Sequence, residues 1–365
     1  MVERLVERAG LTDIYEKVIN GTRLSFEDGV RLYQADLTAV GYLANIVRER
    51  KNGNTTYWVR NQHLNYTNIC NKFCKFCSFY RPPTDPTGYT MSVEQVREKV
   101  RQFKNMKVTE IHIVGGVNPR LPYQYYIDLV KAIKDERPEV HVKAFTMIEW
   151  AQIQRVAKKP LEECFLELKA AGVESLPGGG AEVFSERVHE NLFHLKADAD
   201  RWIEIARVAH RCGLPSNATM LYGHVEMLEE KVEHHLKLRE LQDETGGILC
   251  FIPLSFHPEN TALSHLPPNT GEQDLREIAV ARLLLDNVPH IKAFWVMTSP
   301  AVAQVAQWYG ADDFDGTVHE YEIVRDPVTD RDQSLTVQAL TDMIREAGRV
   351  PCERDNLYNV LNMMN

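Results

Sequence analysis

Between residues 61 and 318 short apolar runs alternate with amphipathic ones, and no other feature of the chain restricts its fold so tightly. Strands are predicted at 61–69, 110–114, 141–145, 174–176, 216–220, 248–254, 292–296 and 314–318. Helical periodicity covers 93–103, 123–135, 150–171, 200–212, 228–243, 272–287 and 301–308. Ser92 with Gln95, and Thr270 with Gln273, have the spacing of N-terminal capping boxes. Strand–helix repetition calls for parallel strands joined by crossover helices. About eight such units predict an α/β fold, a (β/α)8 TIM-type barrel. The last two units carry the weakest pattern, so a partly open six-strand barrel is the alternative. Residues 1–60 read as an N-terminal helical extension and 61–330 as the barrel. Residues 331–365 read as a C-terminal helical segment packed on the barrel, with an amphipathic helix at 335–347.

The unusual loops all follow predicted strands. They are the Cys-containing loop after the first, GGVNPRLP after the second, PGGGAE after the fourth, YGHVE after the fifth and SFHPEN after the sixth. In a parallel barrel such loops share one face, where chemistry is done. The Cys loop and the Gly-rich loops are therefore expected to converge on one cavity.

The 365 residues carry 42 Lys and Arg against 51 Asp and Glu, a net charge of −9. That balance argues against a nucleic-acid backbone as the main partner, which asks for a basic surface. The first twenty residues, charged from the third, lack the apolar run of a secretory signal. No stretch has the uncharged length of a membrane span. A cytoplasmic protein is expected.

Seven cysteines in a chain of this kind do not suggest a disulfide framework. Cys164, Cys212, Cys250 and Cys352 are scattered singly and read as small buried hydrophobes. Cys70, Cys74 and Cys77 fall within eight residues in a polar, Lys-containing segment. Thiols so grouped fit ligands for a soft metal. A structural zinc site wants a fourth ligand, and no second Cys pair exists; His63 lies seven residues upstream in a strand-like run. An iron–sulfur cube held by three Cys leaves one iron open for a small molecule, and is preferred.

The pattern CxxxCxxC after a first strand, with Phe76 before the last Cys and Gly115-Gly116 after the second strand, resembles the radical SAM superfamily. The resemblance implies a [4Fe-4S] cluster on Cys70, Cys74 and Cys77, with S-adenosylmethionine (SAM) on the open iron. Across essentially the whole chain, further runs are similar to the aminofutalosine synthase family: CKFCSFYR (74–81), ESLPGGGAEVF (174–184), NATMLYGHVE (217–226), LRELQDETGG (238–247), FIPLSFHPENT (251–261) and RVPCERDNLYNVL (349–361). The related cyclic dehypoxanthinyl futalosine synthases typically show PGAGAE and a FIPW…FQP run, so Gly179 and the run His257-Pro258-Glu259-Asn260 point away from them. The resemblance implies a cytoplasmic enzyme of menaquinone biosynthesis. It would add the 5′-deoxyadenosyl radical of SAM to the enol ether of 3-[(1-carboxyvinyl)oxy]benzoate. Aryl migration and loss of bicarbonate would follow, giving 6-amino-6-deoxyfutalosine. SAM would be consumed, and a low-potential donor of flavodoxin or ferredoxin type would supply the electron.

Under that resemblance the cofactor-binding candidates are Phe76, Gly115, Gly116, Gly178, Gly179, Gly180, Glu182, Asn217 and Thr219, with His224 beside them. Phe76 would pack on the adenine, the glycines would let a ligand lie against the backbone, and Glu182 would accept hydrogen bonds from SAM. Strand alternation points Asn217 and Thr219 the same way. His257 is the candidate substrate contact or proton-transfer group, in a loop with Glu259 and Asn260. Arg81 is the candidate carboxylate clamp, with Arg120 and Arg325 as weaker ones. His112, His141, His234 and His235 are assigned to surfaces or hydrogen-bonded core. Rival readings are the cyclic dehypoxanthinyl futalosine synthase reaction, a non-catalytic zinc module, and sulfur insertion from a second cluster, for which the dispersed cysteines offer no ligand group.

Overall fold

A parallel ring of strands forms the centre of the computed structural model, which describes residues 2–324 and 334–364. Among the described residues the strands, in the ring or beside it, are β1 (Thr55–Val59), β2 (Asn61–Leu64), β3 (Glu110–Ile113), β4 (His141–Ala144), β5 (Ser216–Tyr222), β6 (Ile248–Ser255), β7 (His290–Ile291), β8 (Asp313–Gly316), β9 (Val350–Arg354) and β10 (Val360–Met363). β2, β3 and β4 pair in parallel, with Asn61 opposite Glu110 and Glu110 opposite His141. β5, β6 and β7 form a second parallel set, and β1 pairs in parallel with β8. Single bridges join the sets: Lys143 with Ser175, Leu176 with Ser216, Lys292 with Asp313 and Gln62 with His319. The barrel is therefore closed, with β1 and β2 acting as one bent stave. The fourth stave is only Ser175 and Leu176, because Pro177 has no N–H to continue the ladder.

The predicted caps form: Ser92 with Gln95 and Thr270 with Gln273 are both reciprocal capping boxes. Helices Val2–Arg8, Thr12–Asn20, Phe26–Gln34 and Leu37–Asn52 make up the N-terminal extension. Their apolar faces, including Ile14, Leu32 and Leu43, pack with Val232, Val280 and Leu284 from two barrel helices.

Three local expectations are corrected. Residues 55–59, read as part of the helical extension, are β1, held between β8 and β9. The run 292–296, read as a strand, leaves the barrel after Lys292 bridges Asp313. It then forms the short helix Trp295–Thr298, and the Trp295 indole donates to the Gly316 carbonyl at 3.0 Å. The C-terminal segment is not only helical. After the helix Val337–Glu346, β9 runs parallel to β1 and β10 antiparallel to β9. Its charged residues masked this, yet they are buried with partners: Glu353 accepts from Arg60 and Lys107, and Arg354 pairs with Asp313.

The turn after β9 closes the end of the barrel where the strands begin. Arg354 Nε donates to Asp313 at 2.7 Å, Asn356 Nδ2 to Ser175 Oγ at 2.7 Å and the Tyr358 hydroxyl to Asp313 at 2.6 Å. The Tyr358 ring stacks on His290 with centroids 3.6 Å apart. Chemistry is left to the other end. Among the described residues no helix is long and apolar enough to cross a membrane.

Candidate active site

One cavity of about 280 Å³ runs from the Cys loop into the barrel. Its mouth is built by main-chain hydrogen bonds. Past β2 the backbone bridges Ile69 to Arg81, with Cys70 N–H donating to the Arg81 carbonyl at 2.9 Å and Arg81 N–H to the Asn68 carbonyl at 2.7 Å. Asn71 N–H then reaches Val117 O, Lys75 N–H reaches Leu192 O, and Ala262 N–H reaches Lys75 O. Loops from around the barrel thus hold the Cys segment in place. Cys70, Cys74 and Cys77 all line the cavity. Burial pushes the Cys74 thiol up to about 12 and the Cys77 thiol upward as well. Such thiols keep their protons unless a metal replaces them. Among the described residues no three His, Cys, Asp or Glu side chains gather tightly enough for one ion. A cube places each thiolate on a different iron and does not ask for that convergence.

The glycines have steric reasons. A Cβ on Gly116 would sit 2.4 Å from the Ile69 carbonyl oxygen, so only glycine lets the loop after β3 lie against the Cys loop. A Cβ on Gly178, at φ +73°, would sit 1.8 Å from the Asn217 carbonyl oxygen. Gly115, Gly116, Gly179 and Gly180 line the cavity; Gly178 does not. Gly178 instead lets the loop pass close over β5. Gly115 N–H donates to the buried Glu149 at 3.0 Å. Burial raises that carboxyl to about 7, against hydrogen bonds from Thr146 and Tyr66.

Phe76, Glu182, Thr219 and His257 also line the cavity. Glu182 forms a buried ion pair with Lys196, whose ammonium stands 5.4 Å from the Phe76 ring centroid. His257 Nε2 donates to the Met297 carbonyl at 2.8 Å, and its Nδ1 makes no hydrogen bond among the described residues.

Several candidates lie elsewhere. Arg81 donates to the carbonyls of Ser78, Phe79 and Tyr80 and to Thr87, so its guanidinium holds its own loop, and it does not line the cavity. Asn217 shares a face of β5 with Thr219, but it is enclosed below Gly178 and does not reach the cavity. His224 is held by the Leu221 carbonyl and Glu226. Arg120, Glu259 and Asn260 are exposed and away from the cavity. Arg325 lies outside the described residues. His234 and His235 are buried and hydrogen-bonded, and His141 meets Ser175.

Sequence reasoning missed the floor. His63 and His112 stack there, beside an ion pair of Lys292 with Asp315 and the Tyr321 ring. Burial lowers His63 to about 3, and His112 also falls. Burial alone would raise Asp315, but Lys292 and His63 hold it at about 2. Polar residues at alternate positions of β2 (Asn61, His63) and β3 (Glu110, His112) were the available signal, since they point inward. Lys196 left no signal. Apolar walls of Ile252, Leu254, Phe294 and Met297 also face the cavity.

Residues 64–238 match the Radical SAM superfamily, and residues 245–365 match the CofH/MqnC C-terminal region. The aminodeoxyfutalosine synthase of Thermus thermophilus is 46% identical over 95% of each chain. That of Streptomyces coelicolor is 42% identical over 97% of this chain and 95% of its own. The cyclic dehypoxanthine futalosine synthase of Halalkalibacterium halodurans is 35% identical over 95% of this chain and 94% of its own. Among solved structures, methylornithine synthase (PylB) superposes with a TM-score of 0.74 at 17% identity, covering 92% of this chain and 96% of its own. That likeness concerns the fold, and it agrees with the closed parallel barrel. With near-full-length identity of this order to the two aminodeoxyfutalosine synthases, the chain belongs to their family within the radical SAM superfamily.

Proposed function

We propose that the chain joins the adenosine part of SAM to 3-[(1-carboxyvinyl)oxy]benzoate, with loss of bicarbonate, to give 6-amino-6-deoxyfutalosine for menaquinone biosynthesis. The observation that carries this is the 46% identity with an aminodeoxyfutalosine synthase along 95% of both chains. The family's cofactors, a [4Fe-4S] cluster and SAM, suit the residues present. Three thiols face one cavity beside backbone that a Cβ would obstruct. When bound, the cluster supplies the electron that splits SAM into methionine and a 5′-deoxyadenosyl radical.

The chain's own residues do the rest. Cys70, Cys74 and Cys77 hold the cluster, and the hydrogen-bonded loop around them fixes its position. Gly115, Gly116, Gly179 and Gly180 leave room for SAM along the backbone. Phe76 offers a face to the adenine. Glu182, paired with Lys196, accepts from SAM hydroxyl or amino groups, and Thr219 lines the same cavity. Apolar walls keep water from a reactive primary radical. His257, with its Nε2 proton on Met297 O, presents Nδ1 as a proton acceptor toward the substrate. The protein orients and shields; the difficult electron chemistry belongs to the cofactors. SAM is consumed, a flavodoxin- or ferredoxin-type donor reduces the enzyme, and the cytoplasm is its place.

The test is a product assay. Anaerobically reconstituted protein with dithionite, SAM and the enol ether should yield aminofutalosine by mass spectrometry. Free 5′-deoxyadenosine as the sole nucleoside product would overturn the reading and favour hydrogen abstraction, the chemistry of the cyclic dehypoxanthinyl futalosine synthases.

A further inference from the structure

The floor of the cavity holds two imidazoles that the proposed reaction leaves without a task. His63 on β2 and His112 on β3 are register partners, stacked with centroids 4.7 Å apart and planes 20° apart. Their surroundings fix which nitrogen of each carries a proton. Val318 N–H donates to Asn61 Oδ1 at 2.8 Å, so the amide nitrogen of Asn61 is the atom that faces His63 Nε2 at 3.4 Å. An amide nitrogen only donates; His63 Nε2 therefore accepts, and the proton of the neutral ring sits on Nδ1. His112 Nδ1 faces Glu110 Oε1 at 3.6 Å. A carboxylate there keeps the His112 proton on Nδ1 and leaves Nε2 as an acceptor. Neither His63 Nδ1 nor His112 Nε2 has a hydrogen-bond partner among the described residues, and both rings line the cavity. The stack thus shows an incoming group one donor and one acceptor.

Charges around the stack cancel. Facing it are Glu110 from β3, Lys143 from β4, Lys292 after β7 and Asp315 from β8, two cations and two anions, with the uncharged Tyr321 ring edge-on to His63. An anion arriving alone would leave this buried site one charge out of balance, which is unfavourable away from water. An anion arriving with one proton would not. The vacant lone pair on His112 Nε2 is where that proton goes, and the same ring then donates to the anion. Both imidazoles stand neutral near pH 7 before anything binds, because burial lowers them.

We propose that the His63–His112 stack is the subsite for the carboxylate of an aromatic acid, and that the carboxylate binds together with one proton taken up by the stack. The apolar walls between the stack and the Cys loop, Leu254, Phe294 and Met297 among them, accommodate the ring. The inference rests on the proposed function only for the identity of the acid, the benzoate end of the enol ether. It also gives the carboxylate a contact inside the cavity, which Arg81 does not line.

The experiment is calorimetric titration of anaerobically reconstituted protein with 3-ethoxybenzoate, an unreactive probe. Two buffers of different ionisation enthalpy are compared at pH 8. Close to one proton taken up per benzoate is expected, with affinity falling about tenfold per pH unit above pH 7. The uncharged 3-ethoxybenzamide should bind without proton uptake. His112→Phe keeps the stack but loses the acceptor; its benzoate affinity should fall at least about tenfold, and the proton uptake on benzoate binding should be lost. Should His112→Phe fail to fold, the wild-type proton count decides alone. Benzoate binding without proton uptake, no benzoate binding at all, or undiminished benzoate binding by folded His112→Phe would overturn the proposal. None of these titrations needs turnover, so failure to make aminofutalosine is read separately.

Discussion

The two ends of the cavity are built by different means. The mouth is held by main chain: loops after β2 and β3 and the segment around Leu192 exchange backbone hydrogen bonds, and glycines permit contacts that any Cβ would block. The floor is held by side chains, with Lys292 on Asp315, Lys143 on Glu110 and Arg354 on Asp313, all nearly inaccessible to solvent. A mouth made of backbone presents its thiols with little regard to which acid lies below. A floor made of charged and polar side chains is where the proposed carboxylate subsite lies. The proposed reading thus gives the cluster-binding thiols to one end and the acid's carboxylate to the other.

The sharpest way to break this contrast is at the mouth. Cys74→Ala should abolish cluster absorption in the visible range and all product formation while leaving the circular dichroism of the fold unchanged. Loss of folding instead would mean that the thiol is part of the scaffold. The floor should respond in the opposite manner. Arg354→Met leaves Asp313 buried without its main cation and should cost about 3–5 kcal/mol in denaturant unfolding. Gly178→Ala should cost about 2–3 kcal/mol, since both the positive φ and the Asn217 carbonyl are backbone constraints that cannot yield.

What the sequence made legible follows the same division. The Cys spacing and the Gly-rich loops are local, so Cys70 to Cys77 and Gly115-Gly116 were visible as a mouth before any fold was known, and the strand–helix period implied the barrel beneath. The floor is long-range. Nothing local to Lys292 says that it meets Asp315, and KAFWV has the composition of a strand although the barrel needs it only as far as Lys292. β9 carries Pro351, Glu353 and Arg354, a poor strand by propensity, and only tertiary pairing with β1 and Asp313 makes it one. Arg81 is the opposite case. Its sequence position beside the Cys loop suggested a clamp, but the carbonyls of its own loop fold around it.

Proton linkage sharpens the contrast further. The folded His63 titrates near 3 rather than near 6.5, so between those values the unfolded chain binds the proton and the folded chain does not. Stability therefore falls as pH drops from about 6.5 toward 3. His63→Gln should flatten that slope by up to about 1.4 kcal/mol per pH unit, measured by denaturant titration of the apoprotein across the window. At the smallest end, Glu259→Gln in the exposed loop after β6 should change stability by less than about 0.5 kcal/mol and leave product formation unaltered.

The most direct measurement follows a single carbon. SAM labelled with carbon-13 at the 5′ position is given to the reduced protein with the enol ether, and the nucleoside product is analysed by NMR. The label should appear bonded to a carbon derived from the enolpyruvyl group. A labelled methyl group, the mark of 5′-deoxyadenosine, would contradict the account.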